Sequence, residues 1–351
     1  VHHRLWFARA PQAVHVLDVD RAACWTLAAR KAGEGAVGRA GTLALVRGLA
    51  DSGGAAVAGG VNADFFLFAP PGVPQGAHVQ DGRVIAGPAA RPTLALDSTG
   101  TPWIGVLRTG GRVAVGGESV PLDGWNRGSA AGVALFDRTW GARTDSMPGR
   151  LLVAARVLGD PRAATLTVVV AGVDSGATAA IPEHGVVLAV GPRAPEALRA
   201  RAAALRVGAD TLRVERALAP VGPRQVVGGL PVLMRDGAID PIVDSSGAAS
   251  FRGANPRTAV GIGAGGRRLL LVTVDGRQAG YSTGTSLRET AELMRALGAR
   301  DAINLDGGGS TTMVVRDAAG GFRIANRPSD AAGERPVANA LAVVRDPGCR
   351  R

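Results

Sequence analysis

Residues 302–315, Ala302-Ile303-Asn304-Leu305-Asp306-Gly307-Gly308-Gly309-Ser310-Thr311-Thr312-Met313-Val314-Val315, constrain this chain more than any other stretch. An apolar strand delivers one carboxylate, Asp306, into three consecutive glycines. A hydroxyl triplet follows, and a second apolar strand begins. Consecutive glycines leave main-chain N–H groups open to a ligand and allow φ > 0. Two readings fit this pattern. One is a cradle for an oxyanion with a carboxylate at its lip. The other is a glycine-rich hairpin whose Asp caps the turn.

The rest of the chain reads as short strands broken by Asp-Gly and Gly-Gly turns. Strands are expected at 14–19, 42–46, 81–85, 93–96, 103–107, 112–115, 185–190, 226–234 and 269–274. A small-residue strand at 57–61 carries Asn62 and Asp64 toward one side, because positions two apart share a strand face. The bland alternative there is a strand end with an Asx-turn. Two segments read as helices. Residues 195–206 open on a proline, with Leu198, Ala202 and Leu205 on one face. Residues 286–297 carry a Ser286/Glu289 capping box and stop at Gly298. Glu289 thus has a sufficient structural role and is not a candidate acid. Strand, loop, helix and strand from 269 to 306 suggest a crossover connection. The expected class is α+β: a mixed, mostly antiparallel β-sheet core with a few flanking helices, including the crossover helix at about 286–297. Residues 1–40 are expected as an N-terminal extension packed on a main domain at 41–351.

The formal net charge is +11, and Lys31 is the only lysine among the basic residues. Arginine grips carboxylate and phosphate through paired hydrogen bonds. The arginines form no dense stripe, and aromatics are only 4% of the chain, so nucleic-acid stacking platforms are few. The charge instead favours anionic substrates. No apolar run reaches the roughly 18 residues of a membrane helix. Cys24 and Cys349 fit no zinc or Cys-x-x-Cys spacing; they read either as a disulfide joining the chain ends or as two unrelated thiols. The first of these, with a start at Val1, suits a secreted or cell-envelope protein. His2, His3, His15, His78 and His184 form no ligand-spaced cluster, and His78 and His184 read as surface or turn residues. A histidine metal centre and a Ser-His-Asp triad are therefore disfavoured. No cofactor is expected; a structural Ca²⁺ held by oxygens near the aspartates stays open, without a specific motif for it.

The segment Asn304–Val315 resembles the signature of the phosphodiester glycosidase family. Gly60-Val61-Asn62-Ala63-Asp64-Phe65-Phe66 is similar to its early strand motif, and Asn255-Pro256-Arg257-Thr258-Ala259-Val260-Gly261 to its Arg-Thr-Ala-x-Gly strand. Trp140–Thr144, Gly228–Leu233, Val274–Arg277, Asn326–Asp330 and Glu334–Asn339 follow in the expected order. The resemblance implies hydrolysis of a sugar-1-phosphodiester at its glycosidic bond. Asp306 is the first candidate for the catalytic carboxylate, as nucleophile or as base for water. Asp64 and Glu334 are second carboxylates able to pair with it. The resemblance also implies that Arg257 and Arg335 bind phosphate, joined by Gly307, Gly308, Gly309, Ser310 and Thr311 around its oxygens. A competing role for Arg257 is a salt bridge that fastens its strand. Asn62 and Asn304 suit sugar hydroxyls, and Asp275 lies in a motif that leads into the site. Asp64 departs from the family, which usually has glycine there, and an ionised group at that position would repel a phosphodiester. A glycosidase for non-phosphorylated glycan and a non-catalytic carbohydrate-binding module remain as rival readings.

Overall fold

The computed structural model describes residues 1–7, 11–53, 56–220, 222–245 and 249–349. Along the strand Gln12–Asp20, Val14 and Val16 face one side and Leu17 and Val19 the other, and all four are buried. A strand apolar on both faces belongs inside a layered structure. It pairs with Arg268–Val274 in a sheet that continues through Arg257–Gly263, Ala299–Asn304 and Val232–Arg235. One face of this sheet packs Val272, Ala259 and Val14 against Leu287, Ala291 and Met294 of the helix Leu287–Ala296. The other face packs Leu269, Leu271 and Val260 against Val61, Leu341 and Met313 of a second sheet. That second sheet runs Phe322–Ile324, Met313–Arg316, Val57–Asn62, Asn339–Arg345, Trp25–Lys31. Strands from before residue 41 therefore enter both sheets.

Among the described residues, a further five-stranded sheet, a two-stranded pair (Arg108–Thr109 with Leu218–Ala219) and a closed seven-stranded barrel are also present. The barrel uses strands between Arg112 and Glu215 and has its own core of Val113, Leu135, Val168, Leu188 and Val214. The helix Glu196–Ala203 presses Leu198 and Ala202 into that core. The broad α+β expectation holds, with antiparallel pairing dominant.

Ser286 and Glu289 form the expected capping box, with Ser286 N–H donating to Glu289 at 2.7 Å. Arg268–Val274 and Ala299–Asn304 each lie antiparallel to Arg257–Gly263, so they are parallel to each other. The helix between them is thus a true crossover. Three expectations need correction. Residues 42–46 are not a strand but the start of the helix Thr42–Asp51, where Thr42, Leu45 and Val46, three and four residues apart, share the buried face. Residues 226–234 split into Gln225–Gly228 and Val232–Arg235, which join different sheets. Pro231 lies in the break and has no N–H for a ladder. The glycine run is not a hairpin: Ala299–Asn304 and Met313–Arg316 belong to different sheets, and the run carries the chain between them. Cys24 and Cys349 form a disulfide, with Cα atoms 5.5 Å apart.

Candidate active site

The crossing from one sheet to the other places Asp306 at their shared edge. Asp306 N–H donates to Ala63 C=O at 2.8 Å, just beyond the end of Val57–Asn62. Asn62 locks the junction: its Nδ2 donates to Asp306 C=O at 2.7 Å, and its Oδ1 accepts from Thr258 Oγ1 and Thr312 N–H at 2.8 and 3.1 Å. These three side-chain bonds make Asn62 the residue that positions the Asp306 main chain.

The three glycines answer three different constraints. Gly308 has φ +60°, a conformation that costs any other residue strain. A Cβ on Gly307 would lie 2.6 Å from Pro256 C=O. A Cβ on Gly309 would collide with the Asp330 carboxylate and the Arg335 guanidinium. The turn's amides are partly engaged: Gly308 N–H donates to Pro256 C=O, and the Ser310 and Thr311 amides donate to the carbonyls of Gly307 and Gly308.

Burial pushes the Asp306 carboxyl up to about 6, opposed by the nearby Ser310 hydroxyl, the Arg335 charge and the Gly307 amide. Asp64 is fully buried, and this desolvation raises it to about 7. The Gly76 N–H, at 2.7 Å from Asp64 Oδ2, and the charges of Arg91 and Arg127 oppose that rise, whereas Asp306 adds to it. The Asp64 carboxyl lies between Gly76 and Gly228, where any Cβ would crowd it. The two aspartates therefore share one electrostatic environment, but Asp64 is sealed and Asp306 is part-exposed.

Thr311 Oγ1 and Thr312 Oγ1 on the turn, and Asn304 Oδ1 on the strand before it, are buried without a protein hydrogen-bond partner. The Ser310 hydroxyl reaches Asp306. Unpaired buried oxygens beside a carboxylate call for a polar partner, water or ligand. Two cavities of about 610 and 450 Å³ lie elsewhere, beside Trp25 and beside Trp125. The unpaired atoms identify the chemistry better than empty volume does.

Two guanidinium groups flank the turn. Arg335 pairs with Asp330 at 2.9 and 3.1 Å above Gly309, and both are about one-third exposed. Arg277 packs over Gly308 and donates twice to Asn255 Oδ1, at 3.1 and 2.9 Å. Only the local sequence Val-Asp-Gly-Arg hinted at Arg277, and nothing local marked Arg91 and Arg127.

Other expected site residues are engaged elsewhere. Among the described residues Arg257 forms no salt bridge; it donates to the carbonyls of Thr285, Phe251 and Gly253 at 2.8, 3.0 and 2.9 Å. Burial lowers its guanidinium to about 10. Glu334 turns its carboxylate to Leu43 N–H at 3.2 Å and caps the helix Thr42–Asp51, whose N-cap Gly41 has no side chain to do so. Asp275 accepts from Asn326, Arg327 N–H and Tyr281 at 2.9–3.1 Å, which makes it a clasp. His78 is wholly buried rather than at the surface; its Nδ1 contacts Asn339 Nδ2 at 3.0 Å, and burial drives it down to about 3. Among the described residues, no three His, Cys, Asp or Glu side chains group to hold a metal ion, and no helix is long and apolar enough to cross a membrane.

The chain is similar to a hypothetical protein of Synechocystis (22% identity, TM-score 0.76, covering 98% of this chain and 61% of that one). It is also similar to a protein of Burkholderia pseudomallei K96243 (25% identity, TM-score 0.68, 95% and 74%). A third likeness is to the zebrafish N-acetylglucosamine-1-phosphodiester alpha-N-acetylglucosaminidase catalytic domain, auto-inhibited by its pro-peptide (14% identity, TM-score 0.51, 98% and 81%). The chain thus spans less than two thirds of the Synechocystis protein's length. At 22% and 14% identity these likenesses carry the fold alone. Comparison with curated proteins yields no match. The phosphodiester glycosidase family profile matches residues 163–344, a segment that contains Asp306, Arg277 and Arg335 but not Asp64. With more than half its length matched, the chain belongs to the phosphodiester glycosidase family.

Proposed function

We propose that this protein hydrolyses the glycosidic bond of a sugar-1-phosphodiester in an extracytoplasmic glycan. The observation that carries this reading is one part-exposed carboxylate, Asp306, set between a glycine turn, two flanking guanidinium groups and the buried hydroxyls of Ser310 and Thr311. In the proposed reaction Asp306 accepts a proton from water as the water oxygen bonds to the anomeric carbon. The bond from that carbon to the phosphate oxygen breaks, and its electron pair leaves with the phosphomonoester. Such a leaving group needs little protonation, so one carboxylate within reach of substrate suffices. A carboxyl held near 6 is well matched to general-base work around neutral pH. Arg335 and Arg277 would bind the departing phosphate. Asp64 is too buried to touch substrate, which weakens the rival use of two carboxylates on a neutral glycan. An extracytoplasmic location rests on the Cys24–Cys349 disulfide.

The test is incubation with sugar-1-phosphodiesters, following release of reducing sugar and its anomeric form. Asp306→Asn should lower kcat by about 10²–10⁴, and the first product should be the inverted anomer. Unchanged turnover in that variant would sink the assignment. Tight glycan binding by wild type without any turnover would instead favour a binding module.

A further inference from the structure

A surface leads away from the glycine turn through residues that the proposed chemistry does not use. Trp6, on the edge strand His2–Phe7, is 47% exposed. A lone exposed tryptophan needs no explanation. Here its ring packs on Tyr281, the chain's only tyrosine, with centroids 5.5 Å apart and planes tilted by 42°. Tyr281 is fixed at its far end, since its hydroxyl donates to Asp275 at 3.0 Å. The Arg327 guanidinium covers the Tyr281 ring at 5.2 Å from its centroid.

This aromatic pair is coupled to the site by hydrogen bonds. Asp275, which holds Tyr281, accepts from Asn326 Nδ2 at 2.9 Å, and the same Nδ2 donates to Thr311 C=O at 3.1 Å. Arg277, over Gly308, begins the loop that carries Tyr281, and Gln278 next to it donates to Arg327 C=O at 2.9 Å. The charge is one-sided. Arg4, two residues before Trp6 and hence on the same strand face, acts on Tyr281. Among the described residues, Arg4, Arg277 and Arg327 have no carboxylate ion-pair partner. Asp275 lies beneath, with its oxygens already engaged.

We propose that Trp6 and Tyr281, with Arg4 and Arg327, form an outer subsite that binds further units of an anion-bearing saccharide chain whose scissile bond lies at Asp306. This rests on the reading of the Asp306 site as glycan-cleaving, and it deepens that reading: the substrate is a chain rather than a single glycosyl phosphate. An indole offers a flat apolar face to a sugar ring, and the guanidinium groups fit phosphate or carboxylate substituents in pairs of hydrogen bonds.

The experiment uses the full chain carrying Asp306→Asn, so that binding is measured without cleavage. Calorimetric probes are phosphodiester-linked oligosaccharides, oligogalacturonates and neutral malto-oligosaccharides, each as a dimer and a hexamer. The expected result is that one anionic hexamer binds at least about tenfold more tightly than its dimer. Adding Trp6→Ala should remove most of that difference. Arg327→Gln should weaken the hexamer and flatten its salt dependence, which keeps the test decisive if the tryptophan variant folds poorly. The stronger of the two anionic series identifies whether phosphate or carboxylate is recognised. Equal affinity for dimer and hexamer, equal affinity for the neutral hexamer, or no loss in either variant overturns the subsite. Failure of the hydrolytic reading shows separately, as wild-type protein that binds these chains and leaves them intact.

Discussion

Replacing Asp64 by Asn tests the electrostatics beneath the site. In the unfolded chain this carboxyl ionises near 3.8; in the folded protein, burial moves that to about 7. Between those values the folded state holds a proton that the unfolded state has lost. Stability contributed by the protonated group is therefore complete at low pH and is lost as pH rises through about 7. Each pH unit of the interval is worth about 1.4 kcal/mol, so the full cost above pH 7 is on the order of 4 kcal/mol. Asparagine mimics the protonated acid. Its carbonyl oxygen can keep the Gly76 N–H, and its amide takes the place of the unpartnered Oδ1. The variant should already lead by about 1.6 kcal/mol at pH 5, and its lead should grow to a plateau on the order of 4 kcal/mol above pH 7. The assay is tryptophan-fluorescence unfolding in urea at half-unit pH steps. Taking the difference between the two proteins cancels the opposite contribution of buried His78, which is present in both. An offset that does not change with pH would refute the reasoning, because Asp64 would then not be ionising in a desolvated place.

Arg335→Ala should lower kcat/KM on a sugar-1-phosphodiester by about 10–100-fold. It should also move the acidic limb of the pH–rate profile upward, since Arg335 helps hold Asp306 down; a profile that keeps its position would separate Arg335 from Asp306. Glu334→Ala should cost about 0.5–2 kcal/mol through loss of the cap on Thr42–Asp51 while leaving kcat intact; a large fall in kcat would return Glu334 to the catalytic set. Reducing the Cys24–Cys349 bond should destabilise the chain by roughly 2–5 kcal/mol, read as a shift in urea midpoint that is absent in a Cys24→Ser variant.

Local sequence made some of this legible and hid the rest for identifiable reasons. The crossover helix was readable because its start signal is chemical and short-range: Ser286 and Glu289 satisfy each other's backbone. The glycine turn after Asp306 was readable as a conformational constraint: Gly308 needs φ > 0, and Gly307 and Gly309 leave no room for a Cβ. The helix Thr42–Asp51 was not, because five residues of Thr-Leu-Ala-Leu-Val carry no decisive period, and its cap comes from Glu334, almost three hundred residues on. Barrel closure depends on Arg112–Val115 meeting Thr211–Glu215, a pairing that no window of sequence contains. Arg257 and Arg277 sit in neighbouring motifs of similar look. Which one faces the glycine turn was decided by the carbonyls of Thr285, Phe251 and Gly253, which hold Arg257 away from that task.

The same division of labour bears on Asp64. An added carboxylate beside a phosphodiester site is a liability only when it is charged. Gly76 and Gly228 close around Asp64 and exclude water, and Arg91 and Arg127 temper the rise in its pKa without reaching it: Arg91 donates to Gln75, and Arg127 to the carbonyls of Gly87, Pro74 and Gly76. A direct guanidinium pair would have kept Asp64 ionised throughout the neutral range. Burial without a direct pair leaves it largely protonated below pH 7 while the more exposed Asp306, near 6, is already ionised in part. Between those two values the site carries one negative charge where it is needed, at the base, and little where it would repel the substrate. Above that window Asp64 ionises, so turnover of an anionic substrate should fall on the alkaline side. Asp64→Asn should remove that fall, and an alkaline limb that survives the substitution would assign it to another group.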